Sequence, residues 1–223
     1  MRTVVFDLDG TLADTAPDLI GAANAVGAAR GWPPLDALAE RRVAGQGGRA
    51  LLRRAIALAG LAPDETLVDA ALPDFLALYE ARIARETRLF PGAAETLEGL
   101  GAAGWRLAIC TNKPQGLAER LLDALGVAHR FAAVLGADAA RPRKPDPAHL
   151  LETIALAGGD PRRAVLVGDT ATDRETARAA GAPCILCEFG YALEPLARLA
   201  PDAVIADLRQ TGAVAARLLG EPP

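Results

Sequence analysis

The sequence predicts an α/β protein with a doubly wound parallel sheet and a helical insertion after its first strand. Three observations carry that prediction. Short apolar runs ending in a polar residue alternate with helical stretches from about residue 90 onward. These runs lack strict alternation, which suits strands covered by helices on both faces. Between about residues 15 and 86, by contrast, apolar positions recur at helical spacing with no convincing strand between them.

Taken in order, Thr3-Val4-Val5-Phe6-Asp7 is the first strand, and Gly10 permits the sharp turn that follows. Leu51, Leu52, Ala55 and Leu58, then Leu72, Phe75, Leu76 and Tyr79, mark helical faces in the insertion. Residues 16–86 are assigned to a helical cap, and residues 1–15 with 87–223 to the core. Phe90-Pro91-Gly92 marks the return to the core. Helices then cover Ala94 to Ala103, Gly116 to Leu125, Ala148 to Ala157 and Thr172 to Ala180, with Pro147 suited to a first helical position. Strands are Leu107-Ala108-Ile109-Cys110-Thr111, Val165-Leu166-Val167-Gly168-Asp169 and Pro183 to Cys187, with weaker signals at Ala132 to Leu135 and Ala203 to Ile205.

Composition removes several function classes. The 223 residues include fifty alanines and no serine, and only Lys113 and Lys144 among the 24 basic residues are lysine. A serine nucleophile is impossible, and neither lysine has the glycine spacing or the following Ser or Thr of a P-loop. A net charge of -4 without a basic run argues against nucleic acid. No apolar stretch approaches the roughly 18 residues of a membrane span, so no membrane partner is expected. Cys110, Cys184 and Cys187 are too few for a disulfide framework, and Met1-Arg2 leads directly into a β-rich run, so a reducing cytoplasm is expected. On a strand, Cys184 and Cys187 point to opposite faces and read as buried thiols. His129 and His149 read as structural.

In open α/β sheets ligands bind beyond the carboxyl ends of the strands. Asp7, Thr111 and Asp169 end three of the apolar runs, and Asp9, Asn112, Lys113, Lys144 and Asp173 stand nearby in sequence or on a proline-stiffened loop. Four carboxylates close together would repel by about 4 kcal/mol per pair at 4 Å, so they call for a cation or a raised pKa. An all-oxygen set favours Mg²⁺. A carboxylate with Mg²⁺, a hydroxyl and a lysine suits phosphoryl transfer. Asp7 is the candidate nucleophile, and Asp9 the candidate acid that protonates the leaving alcohol and later activates water. For that role the Asp9 pKa should be raised by the neighbouring carboxylates.

Asp7-Leu8-Asp9-Gly10-Thr11, Thr111, Lys144 and Gly168-Asp169-x-x-x-Asp173 stand in the order and spacing of the haloacid dehalogenase superfamily, which the chain resembles nearly end to end. The resemblance implies a Rossmann-like core with an inserted helical cap and an aspartyl-phosphate mechanism. It implies Mg²⁺ held by Asp7, the main-chain carbonyl of Asp9 and Asp169, with Asp173 near the metal, and a phosphoryl group gripped by Thr111 and Lys144. Asp14-Thr15-Ala16-Pro17-Asp18-Leu19, Gly45-Gln46-Gly47, Phe90-Pro91-Gly92, Thr111-Asn112-Lys113-Pro114, Lys144-Pro145-Asp146-Pro147 and Phe189-Gly190-Tyr191 look most like bacterial phosphoglycolate phosphatases. Ala137 and Thr170-Ala171-Thr172 depart from that subgroup's commoner residues, a difference that bears on substrate rather than on reaction class.

The expected activity is therefore a Mg²⁺-dependent phosphatase of small phosphomonoesters, 2-phosphoglycolate first, acting as a monomer or homodimer. Substrate contacts are expected from Thr11, Gln46, Thr111, Asn112, Lys113 and Lys144. Arg49 lies close enough in sequence to Gln46 to join them, while Arg53 and Arg54 read as a solvated face. The alternatives are another small-metabolite phosphatase, a sugar-phosphate mutase resembling β-phosphoglucomutase, and a non-catalytic phospho-switch. In the receivers that serve as such switches lysine comes last, whereas here the order is Asp, Thr, Lys, Asp. A dehalogenase is disfavoured because carbon-halogen hydrolysis needs no acid, and this chain supplies Asp9.

Overall fold

Four residues with high β propensity, Thr3–Phe6, form β1, and all four are buried. That burial requires cover on both faces. The computed structural model describes residues 1–62, 64–140 and 142–220. It comprises two units, Met1–Ala13 with Leu89–Pro223 and, separately, Asp14–Arg88.

The chain leaves the first unit through the short strand β2 (Ala13–Asp14) and builds four helices: α1 (Ala16–Ala29), α2 (Arg41–Ala44), α3 (Gly48–Leu58) and α4 (Glu65–Glu80). It returns through β3 (Arg88–Leu89). Then follow α5 (Ala93–Ala102), β4 (Arg106–Cys110), α6 (Gln115–Ala124), β5 (Ala133–Leu135), α7 (Pro147–Leu156), β6 (Ala164–Gly168), α8 (Ala171–Ala180), β7 (Cys184–Cys187), α9 (Leu196–Leu199), β8 (Ala203–Ile205) and α10 (Thr211–Leu218).

Six strands form one sheet in the order β5-β4-β1-β6-β7-β8, and every adjacent pair is parallel. The chain runs outward from β1 through β4 to β5, then crosses back to β6 on the other side of β1 and runs outward again. In open sheets of this kind ligands bind beside such a reversal, here beyond the carboxyl ends of β1, β4 and β6. One face of the sheet packs Val5, Ala108, Cys110, Leu166, Cys184 and Leu186 against Leu150 and Ile154 of α7 and Ala177 of α8. Cys184 belongs to this cluster and Cys187 does not, as strand alternation requires. All three cysteines are free and buried. Burial pushes the thiols of Cys184 and Cys187 well up and that of Cys110 up to about 12, so none is primed as a nucleophile.

The helical unit packs α1 and α3 on α4. Its buried stripe runs through Leu51, Leu52, Ala55 and Ile56 of α3 and Val68, Ala71, Phe75 and Tyr79 of α4. Leu58 and Leu76, expected on that face, are exposed. The α4 stripe steps by three or four residues from Val68, which carries Leu76 round to solvent. Gly48 is required where α3 begins, because a Cβ there would lie 2.2 Å from the Phe75 ring. Asp18, fully buried on α1, ties the start of that helix to the segment after α4 by accepting from the Glu86 and Thr87 amides, the Thr87 hydroxyl and Arg82. Burial alone would raise the Asp18 pKa, but these four donors outweigh it and hold the carboxyl below its usual range. Among the described residues no helix is long and apolar enough to cross a membrane.

Candidate active site

Asp7 follows the last residue of β1, and its amide continues the ladder to the Val167 carbonyl at 2.8 Å. Thr111 follows β4 with its amide on the Leu135 carbonyl at 3.1 Å, and Asp169 follows β6. Parallel register thus brings three side chains, distant in sequence, to one edge of the sheet. Asp173 joins them from the first turn of α8, where it forms a capping box with Thr170.

Asp7, Asp169 and Asp173 each place a carboxylate oxygen within 4.8 Å of the others. Lys144 is buried among them, with Nζ 2.7 Å from Asp173 Oδ1 and 3.1 Å from Asp7 Oδ1. The second oxygen of Asp173 accepts from the Asp169 amide, the Thr170 amide and the Thr170 hydroxyl. Asp169 accepts from Thr11 Oγ1 at 2.9 Å and from the Tyr191 amide at 2.6 Å. The backbone approaches these acids closely. A Cβ on Gly190 would stand 2.2 Å from the Asp169 Cβ, and one on Gly168 would stand 2.3 Å from the Asp173 carboxyl carbon.

The electrostatics follow from burial and like charge. Burial, with Asp173 and Asp9 nearby and only partly offset by Lys144, pushes Asp7 up to about 6. Burial and the carboxylates of Asp173 and Asp7 push Asp169 well up. For Asp173 burial also acts upward, but Lys144 and the Thr170 donors outweigh it, and the group lies below its usual range. Burial would discharge Lys144, but Asp173 and Asp7 more than compensate and keep it an ammonium.

Asp9 stands apart from this trio. Its Oδ1 accepts from Lys113 Nζ at 2.8 Å, so of the four carboxylates expected together three have oxygens within 4.8 Å of one another, while Asp9, near enough to act on Asp7, is paired with Lys113. Gly10 makes the turn that follows with a φ of +82°, and the two acids face different lysines, Asp7 facing Lys144 and Asp9 facing Lys113. Thr11, expected among the substrate contacts, directs its hydroxyl to Asp169 instead. Asn112 is exposed and donates from Nδ2 to the Lys144 carbonyl at 3.0 Å. Gln46 is an exposed residue of the helical unit, between α2 and α3. Arg49 pairs within that unit with Glu65 and Asp69, both at 2.7 Å.

Sequence reasoning missed Thr170, Gly190 and the Tyr191 amide as supports of the acidic residues. Thr170 was findable, since a threonine three residues before an acid at a helix start is a capping-box signal. The Tyr191 amide carries no side-chain signal at all.

A divalent cation suits this donor set. Asp7, partly buried, and Asp169, fully buried, are held above their ordinary range by burial and by neighbouring carboxylates, and a hard cation would offset both with oxygen ligands alone. The sign of the linkage is definite. A carboxyl whose folded pKa exceeds its unfolded value destabilises the fold once it must ionise. The contribution of Asp7 to the metal-free protein should therefore decline as pH rises from about 4 through about 6, and that of Asp169 declines likewise as pH rises above the ordinary carboxylate range. Saturating Mg²⁺ is expected to raise the melting temperature more at pH 7 than at pH 5. An equal or smaller increment at pH 7 in a thermal scan would contradict this account.

Residues 1–181 match the family model for haloacid dehalogenase-like hydrolases. The chain is 47% identical over 203 residues to a phosphoglycolate phosphatase of Caulobacter vibrioides, covering 91% of this chain and 86% of that protein. It is 45% identical over 202 residues to a phosphoglycolate phosphatase of Mesorhizobium japonicum, covering 91% and 89%. Its fold is similar to the crystal structure of a predicted phosphoglycolate phosphatase from Haemophilus somnus, with a TM-score of 0.87, 29% identity, and coverage of 96% of this chain and 97% of that one. With the acidic trio, its lysine and the parallel sheet that gathers them, these matches show that the chain belongs to the haloacid dehalogenase-like hydrolase family.

Proposed function

We propose that the protein is a Mg²⁺-dependent phosphatase of small phosphomonoesters, with 2-phosphoglycolate as its substrate. The observation that carries the reaction class is Asp7, a carboxylate at the end of the central strand β1, 3.1 Å from a buried ammonium. The names of the relatives support the substrate.

Asp7 attacks phosphorus, and its new bond to phosphorus replaces the bond to the substrate's alcohol oxygen. Asp9 gives its proton to that departing oxygen. Lys113 donates to Oδ1 of Asp9 at 2.8 Å, which orients the carboxyl group for this transfer. Asp9 then takes a proton from water as the water attacks the aspartyl phosphate, releasing inorganic phosphate and restoring Asp7. Thr111 and Lys144 bind the phosphoryl oxygens, Lys144 as a point charge against the negative charge spread over them. Asp7, the Asp9 carbonyl and Asp169, with Asp173 close by, would hold Mg²⁺, which would supply charge neutralisation there. Gln46 of the helical unit contributes to the choice of substrate. Three unpaired thiols suit a reducing cytoplasm.

The test is phosphate release across a panel of phosphomonoesters, with Mg²⁺ and with a chelator. We expect release from 2-phosphoglycolate with Mg²⁺, no release with chelator, and no need for a bisphosphate activator. Turnover that requires such an activator and transfers phosphate to a second hydroxyl would assign a mutase instead. An aspartyl phosphate that persists for minutes without release would assign a phospho-switch.

A further inference from the structure

His149 is fully buried on α7 and takes no part in the steps above. Its two ring nitrogens have different partners. The Lys144 amide lies 3.1 Å from Nδ1, and the Leu135 carbonyl lies 3.1 Å from Nε2. An amide only donates and a carbonyl only accepts, so Nδ1 is the acceptor and Nε2 bears the proton. One neutral tautomer satisfies both bonds. Burial pushes the imidazole down to about 4, which keeps it in that form at neutral pH.

The Leu135 carbonyl also accepts from the Thr111 amide at 3.1 Å. A single imidazole and a single carbonyl therefore join the backbone of Lys144 to the backbone of Thr111, the two residues assigned to the phosphoryl oxygens. On its other side, the Lys144 carbonyl accepts from Asn112 Nδ2 at 3.0 Å. Lys144 is held at both its N–H and its C=O by residues outside its own loop. The loop needs this, because residues 136–146 contain no strand or helix among those described.

We propose that His149 is a positioning residue of the active site: with Asn112 it clamps the backbone of Lys144, and through the Leu135 carbonyl it sets the distance between the Lys144 and Thr111 grips on the phosphoryl group. This rests on the phosphatase reading of those two residues. Asn112 then acts on the loop rather than on the substrate. The physical basis is that catalysis by positioning is lost over displacements near 1 Å, at a cost of about 100-fold.

The experiment compares wild type, His149→Leu and His149→Gln in Mg²⁺-dependent phosphate release, with melting temperatures and with inhibition by inorganic phosphate. Leucine fills the space but makes neither bond. Glutamine offers an oxygen to accept and an amide nitrogen to donate. His149→Leu is expected to lower kcat by roughly 100-fold and to weaken phosphate inhibition. His149→Gln should recover most of kcat even if its melting temperature falls as far as that of the leucine variant. A kcat unchanged in His149→Leu, or a kcat that follows melting temperature in both variants, would overturn the proposal. Should the leucine variant not fold, Asn112→Ala decides the matter at an exposed position: a kcat lowered about tenfold supports the clamp, and an unchanged kcat overturns it. Absence of any wild-type turnover would overturn the phosphatase reading itself, and this inference with it, an outcome distinct from a His149 variant that matches an active wild type.

Discussion

Replacing Asp7 by asparagine is expected to reduce phosphate release by roughly 10⁴- to 10⁶-fold, the range seen when the members of a catalytic nucleophile group are removed. The amide is nearly isosteric with the carboxylate, so the backbone beyond β1 and its hydrogen bond to Val167 have no reason to change. Its nitrogen is a donor where an anionic oxygen must attack, and its oxygen is too weak a nucleophile to displace an alcohol. Stability should not fall with activity. Asp7 is one of two carboxyls in the trio held above their ordinary range, so removing its charge relieves repulsion. The melting temperature of metal-free Asp7→Asn should equal or exceed that of wild type at pH 7. Thermal scans beside initial rates check both statements, and full activity in the variant would remove Asp7 as the nucleophile.

Lys144→Arg is expected to lower kcat by about 100-fold or more, comparable to loss of one preorganised donor at a developing charge. Charge is preserved, so the effect isolates shape. The ammonium is buried and points simultaneously at Asp173 and Asp7 from 2.7 and 3.1 Å. A planar guanidinium is wider, presents its donors in a fixed fork, and has no open side on which to turn. It would pair with one carboxylate and push against the other, at an overpacking cost of roughly 1–3 kcal/mol. The matching measurement is steady-state kinetics with urea unfolding. A kcat within a factor of two of wild type would show that any cation suffices there.

Much of the architecture was legible because it rests on local chemistry. The strands at Thr3, Leu107 and Val165 announce themselves as apolar runs with no polar face, and a polar residue stops each one. The helices that follow lie within one residue of the sequence reading at their amino ends: α7, for example, begins at Pro147 behind the Asp146 cap. The α3 and α4 faces were read less well. Leu58 and Leu76 are as apolar as their buried neighbours, and only packing decides which side of a helix meets another helix.

For the site, residue types at strand ends singled out Asp7, Thr111 and Asp169 as candidates, and a proline-stiffened loop singled out Lys144, because strands of a parallel sheet must deliver their carboxyl ends to one edge. The partners of these residues were another matter. That Lys113 faces Asp9, that Thr11 holds Asp169, and that His149 bridges Lys144 to Leu135 are bonds between segments up to 158 residues apart. The sequence by itself determined the alphabet of this protein: a doubly wound sheet, a helical insertion, no serine, two lysines, and four acids placed at turns and strand ends. The tertiary structure alone decided which acid meets which cation. The physical reason is that pairing depends on distances of about 3 Å set by loop backbones, and those backbones are fixed by amides and carbonyls that every residue possesses.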